Sequence, residues 1–150
     1  MAAIFTKLQY KGQSPILVLR APESFASALG ELDASVHVRT QARGRVAFAI
    51  AFVTNEVEIT KLTTKVVPLL EEDAILRFAY PKKSSKRYQS DIDRDHGWQA
   101  LGDSGFEGVR QVAIDEDWSA LRFRQVEHIK TMTRGFAMSA AGKKRTKRKR

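Results

Sequence analysis

Ile75-Leu-Arg-Phe-Ala-Tyr-Pro81, then Lys82-Lys-Ser-Ser-Lys-Arg87, and further on Val109-Arg-Gln-Val-Ala-Ile-Asp-Glu-Asp-Trp-Ser-Ala-Leu-Arg-Phe-Arg124, is the stretch that decides the fold. Its first segment is an apolar run of strand length ended by proline. Its last segment reads as a hairpin. About Val109–Asp115 pairs with Trp118–Arg124, and the chain turns at Glu116-Asp117. In the second arm Leu121 and Phe123 alternate with Arg122 and Arg124. Between the two, Asp95 to Leu101 is predicted as a short helix with Trp98 and Leu101 facing inward, followed by Gly102 and Gly105.

Upstream, strands and helices alternate. Ile4, Phe5 and Leu8 suit a short helix. Pro15 to Leu19 is an apolar run without alternation, as expected of a strand covered on both faces. Glu23 to Leu29 has helical spacing, with Gly30 as its stop. Val36, Val38 and Thr40 predict a second strand, and Val46 to Val53 a third. A helix follows from Thr54 or Asn55, with a stripe of Val57, Leu62, Val66 and Leu69 or Leu70 and a kink at Pro68. Val126 to Met132 can add a last helical turn. The order predicts a single three-layer α/β domain over residues 1–138. Its sheet is mostly parallel and ends in an antiparallel C-terminal hairpin.

Charge is unevenly distributed. The net charge is +9, yet Lys143 to Arg150 alone holds Lys143, Lys144, Arg145, Lys147, Arg148, Lys149 and Arg150. Without them 19 basic residues face 17 acidic ones. Residues 139–150 therefore read as a basic, disordered tail that attracts polyanions by counterion release, nucleic acid first. The absence of cysteine excludes disulfides, thiolate nucleophiles and Cys-ligated zinc. The first residues lack a signal-like apolar run, and no stretch reaches membrane-span length, so a cytoplasmic protein is expected.

Phe78 to Lys86, Asp91-Ile-Asp-Arg-Asp95 with Gly97-Trp98, Val109 to Arg124, and the earlier Leu19-Arg-Ala-Pro-Glu-Ser-Phe25 together resemble a family of small bacterial proteins of unknown function. The element order also resembles a shortened class I S-adenosylmethionine-dependent methyltransferase. That second resemblance implies a Rossmann-like fold, a glycine-rich turn after the first strand and an acidic residue ending the second. Here the turn reads Arg20-Ala-Pro-Glu-Ser-Phe25 without glycine, and the second strand ends at Thr40 or Gln41. A degenerate, non-catalytic relative without the cofactor is therefore expected.

The candidate sites lie in the deciding stretch. Lys82, Lys83, Ser84, Ser85 and Lys86 follow a parallel strand, where open α/β sheets bind ligands, and suit a phosphate or another small anion. This supports the alternative of a small-anion or nucleotide-binding enzyme. The spacing of a Walker loop is absent. Asp91 and Asp93 are possible acidic partners. With Asp95 they fall out of register for a calcium loop, since His96 and Gly102 stand where Gly and Glu belong. One of these aspartates is expected to cap the next helix and the others to pair with Lys86, Arg87 or Arg94. Asp115 is a further possible acidic partner; with Glu116 and Asp117 it forms a polar turn, of which a catalytic reading would use one carboxylate as general base. Arg110, Arg122 and Arg124 are expected to pair with those acids. The three histidines share no ligand spacing, so no metal is expected. An exposed sheet edge leaves room for a homo-oligomer.

Overall fold

The computed structural model describes residues 3–93 and 96–128. Its elements in chain order are α1 (Ala3–Lys7), β1 (Ile16–Leu19), a 3-10 turn (Glu23–Phe25) running into α2 (Ala26–Gly30), β2 (Val38–Arg39) and β3 (Val46–Phe52). Then come α3 (Glu56–Val66), a 3-10 turn (Val67–Leu69), β4 (Leu70–Pro81), α4 (Gln99–Asp103), β5 (Phe106–Ala113), β6 (Trp118–Gln125) and a 3-10 turn (Val126–His128). The described strands form one six-stranded sheet in the order β2-β1-β3-β4-β6-β5. β2, β1, β3 and β4 run parallel, and β6 and β5 are antiparallel to their neighbours. This is the α/β architecture, with its terminal hairpin, that the sequence predicts.

The sheet separates two apolar cores. On one face Leu17, Leu19, Ala49, Ala51, Leu76, Phe78, Leu121 and Phe123 pack against Ile59, Leu62 and Val66 of α3 and against Trp98 and Leu101. On the other, Ile16, Val18, Phe48, Ile50, Phe52, Ile75, Ala79 and Trp118 pack against Phe5, Leu8, Phe25 and Ala28. Coverage on both faces explains why β1 and β3 show no alternation. The α3 stripe differs from expectation: Val57 is 62% exposed, and the buried face is Ile59, Leu62, Thr63 and Val66.

Strand order places β1 between β2 and β3, so the link 40–45 crosses β1. Parallel crossovers ordinarily need a dozen residues and a helix. Six suffice here because β2 is two residues long and pairs only with Ile16 and Leu17. An extended six-residue chain reaches about 20 Å, enough to pass two interstrand spacings of about 5 Å each. Ala42 packs on the α3-side core as the link passes. Gly44 permits the return: its φ is +74°, and a Cβ there would lie 2.5 Å from Arg39 Nη1, which donates to Arg43 O.

β4 begins at Leu70 rather than Ile75. Val46 pairs with Leu70 and Phe48 with Ile75, and the extra residues bulge at Asp73, whose φ is +50°. A second bulge sits on β5 between Gly108 and Arg110. The N-cap of α4 is Trp98, which makes no side-chain cap hydrogen bond. The turn predicted at 126–132 is a single 3-10 turn within the described residues, and its remainder, like the basic segment 139–150, lies outside them. Among the described residues no helix is long and apolar enough to cross a membrane.

Candidate functional site

In an open α/β sheet the ligand crevice opens where the strand order reverses. Here that point is the carboxyl end of β1 and β3. β1 leads through α2 to β2 on one side, and β3 leads through α3 to β4 on the other. At the end of β1, Arg20 takes a φ of +59°, a conformation in which glycine is the unstrained residue. Pro22, which has no N–H, opens the following 3-10 turn. The Arg20 guanidinium reaches across to hydrogen-bond Glu58 Oε2.

Glu58 is itself fixed by the start of α3. Asn55 is the N-cap, and its Oδ1 accepts from Glu58 N at 2.9 Å. Glu58 Oε1 in turn accepts from Thr54 N at 2.7 Å and from Thr54 Oγ1 at 3.0 Å. This reciprocal arrangement is a capping box shifted by one residue, and it aims the second carboxylate oxygen at Arg20. Beside the ends of β1 and β2 a cavity of about 510 Å³ is lined by Leu19, Thr40, Gln41, Ala42, Leu62 and Lys65, with no carboxylate among them.

The basic loop folds back onto the hairpin turn. Lys82 N donates to Asp117 O at 2.8 Å, and Ser85 Oγ donates to Asp117 Oδ1 at 2.8 Å. Tyr88 N donates to Ser85 Oγ, and the Tyr88 ring packs 4.9 Å from that of Trp118. Further along, Ser90 Oγ donates to Thr54 O at 2.7 Å, tying the loop to the start of α3.

The five anion candidates are not brought to one point. Lys82 and Lys83 border a cavity of about 430 Å³ with Tyr80, Asp93, Gln111 and Ser119. Ser84 and Lys86 border another, of about 470 Å³, with Arg87, Glu116 and Asp117. Ser85 is spent on the Asp117 link. Asp93 serves Lys83 at 3.3 Å and His96 Nδ1 at 2.8 Å, while Asp91 is exposed. Asp115 is a turn former: its Oδ1 accepts from Asp117 N and Trp118 N, both at 2.8 Å. No group of three or more His, Asp or Glu able to hold a metal occurs among the described residues.

The hairpin arginines do not meet the turn acids. Arg124 makes a two-pronged contact with Asp73, at 2.8 Å from Nε and 2.6 Å from Nη2. Arg122 Nη1 donates to Gln9 Oε1 at 3.0 Å. Pairing follows strand register, which carries these side chains along the strands away from the turn. Arg77, unremarked in the sequence beyond its place in a strand, is completely buried. It donates to Leu8 O and Gln9 Oε1, both at 3.0 Å, and to Ala120 O at 3.4 Å. Burial, and then the charges of Arg122 and Arg110, push its pKa down to about 10, so it stays protonated at neutral pH. The signal was one charged residue inside an apolar run.

No protein-family model matches the chain, and no curated protein matches it. Solved structures do. The N-methyltransferase NodS of Bradyrhizobium japonicum WM9, in complex with S-adenosyl-L-homocysteine, aligns at a TM-score of 0.50 and 13% identity, over 81% of this chain and 85% of that one. A Haemonchus contortus phosphoethanolamine N-methyltransferase, in complex with phosphomonomethylethanolamine and S-adenosylhomocysteine, aligns at 0.51 and 11% identity, over 85% of this chain and 39% of that one. The fold is methyltransferase-like. At such identities the likeness reaches the fold and stops there.

The residues at the methyltransferase-like crevice do not fit S-adenosylmethionine. Close approach of the cofactor to backbone needs a bare turn, and Arg20 and Pro22 stand there instead. The Arg20 guanidinium is committed to the bridge with Glu58. Thr40 and Gln41 supply no carboxylate for a ribose.

Proposed function

We propose that this chain is a degenerate methyltransferase-like domain that does not catalyse transfer, and that Lys143 to Arg150 binds nucleic acid or other polyanions. The observation that supports the first half is the turn at Arg20, where an ion pair to Glu58 takes the place of a glycine cradle. The second half rests on seven cationic side chains in eight residues. The same reading puts the protein in the cytoplasm, among the small bacterial proteins whose hairpin and lysine loop it resembles.

Isothermal titration with S-adenosylmethionine and S-adenosylhomocysteine tests the first half. No saturable heat is expected; micromolar binding by the full chain sinks it. For the second half, deletion of residues 143–150 is expected to abolish salt-sensitive binding of single-stranded DNA or RNA. Unchanged affinity and salt slope in the deletion variant count against it.

A second reading draws on the cavity of about 430 Å³ at the carboxyl end of β4, where Lys82 is half-buried beside Tyr80 and Gln111. In that reading the domain is a small-anion or nucleotide-binding enzyme. A nucleotide-induced rise in melting temperature that disappears in Lys82→Ala supports it.

A further inference from the structure

Three guanidinium groups stand in one row across the closing strands. Arg77 of β4 is in register with Arg122 of β6, and Arg122 with Arg110 of β5. Residues directly opposite share a face, and neighbouring strands lie about 4.8 Å apart, so three positive charges start from backbone positions within about 10 Å. Like charges placed directly opposite destabilise a sheet.

The hydrogen bonds of Arg77 and Arg122 end on uncharged acceptors. The acceptors of Arg77 are two backbone carbonyls and the Gln9 amide, all uncharged. Arg122 shares that Gln9 oxygen, and its Nε is buried with no partner. Arg110 is exposed and makes no hydrogen bond or ion pair among the described residues. The field of Asp73 reaches Arg122 and offsets part of its charge, while both Asp73 oxygens hydrogen-bond Arg124. Glu107 stands one row away, opposite Arg124. An unpaired buried donor carries a desolvation cost, larger for a charged group, so the row favours a bound anion.

We propose that Arg110 and Arg122 form a binding site for a phosphate group, with Gln9, itself anchored by Arg77, fixing the Arg122 fork. Guanidinium groups present paired N–H donors that match phosphate oxygens, and they remain charged. A phosphate dianion neutralises two of the three charges, whereas a carboxylate neutralises one. The site is distinct from the basic segment at 143–150 and from the Lys82 loop. It can take a phosphate from a small phosphorylated compound or from a nucleic-acid backbone.

The test uses the full chain and thermal unfolding at constant ionic strength, with inorganic phosphate or pyrophosphate exchanged for chloride. At ten times its dissociation constant the anion is expected to raise the melting temperature by roughly 3–6 °C. Arg110→Glu places a carboxylate opposite Arg122. This variant is expected to melt higher than the parent in chloride and to lose the phosphate response. Arg122→Lys, which keeps the charge but not the fork, is expected to weaken the response about tenfold. A melting temperature that is the same in phosphate and chloride overturns the proposal. So does a response undiminished in Arg110→Glu, because the 143–150 segment is intact there and is then the binder. The source is read by comparing a 5′-mononucleotide with a 12-nucleotide single strand. Selective loss of mononucleotide binding in Arg110→Glu supports a small-molecule site, and loss of oligonucleotide affinity supports a backbone site.

Discussion

Gly97 has a φ of +104°, and a Cβ there would fall 2.3 Å from Ile92 Cγ2. Ile92 is buried, and Ile59 of α3 lies just behind it. Gly97→Ala therefore strains the backbone and pushes on the core together. A loss of roughly 1–3 kcal/mol is expected by urea denaturation. Asp117→Ala acts on another anchor. It removes the acceptor of Ser85 Oγ while leaving the Lys82 N–H to Asp117 O bond in place. The expected global cost is small, about 0.5–1.5 kcal/mol. The sensitive readout is limited trypsinolysis, with faster cleavage at Lys83, Lys86 and Arg87, all exposed. Unchanged cleavage kinetics would mean that the remaining contacts, Lys82 N to Asp117 O, Tyr88 on Trp118 and Ser90 to Thr54, hold the loop without Ser85.

Elements were legible in the sequence wherever burial imposed a simple rule. β1 and β3 are covered on both faces and read as unbroken apolar runs; β6 has one wetter side and reads as alternation. The start of β4 was hidden because Glu71-Glu72-Asp73 looks like a loop, yet it forms a bulge whose Asp73 binds Arg124. The arginine row was hidden for a different reason. Arg110 and Arg122 were visible as hairpin arginines expected to pair with the turn acids, but Arg77 joins them only through the β4–β6 register, which is fixed by tertiary pairing. Asn55 shows the opposite case, a local signal that local structure obeys. Asn55→Ala removes the α3 cap and is expected to cost about 1 kcal/mol, read from the urea midpoint at an unchanged slope. Because the same cap holds Glu58, the variant also loosens the Arg20 bridge.

The whole molecule hangs two cores on one sheet, and each core has its own tryptophan. Trp98 packs on Phe78, Tyr80 and Phe123 on the α3 side, and Trp118 on Phe52 and Tyr88 on the α1 side. Shared strands should make the two cores unfold together. Trp98→Phe and Trp118→Phe each leave a single reporter. In each variant the fluorescence and far-ultraviolet dichroism midpoints are expected to coincide; separated midpoints would show that one face melts first. The bulge at Gly108/Arg110 has a consequence for behaviour in concentrated solution. β5 is the long outer strand, and Val109 is displayed there, 38% exposed, beside an arginine. A flat outer strand is a template for another chain's backbone, and a bulge and a charge spoil the template. Deleting Val109 would restore unbroken register with Phe123 and Arg122. The expected result is fibrillar or amorphous self-association that grows with concentration, seen as rising light scattering while the parent stays clear.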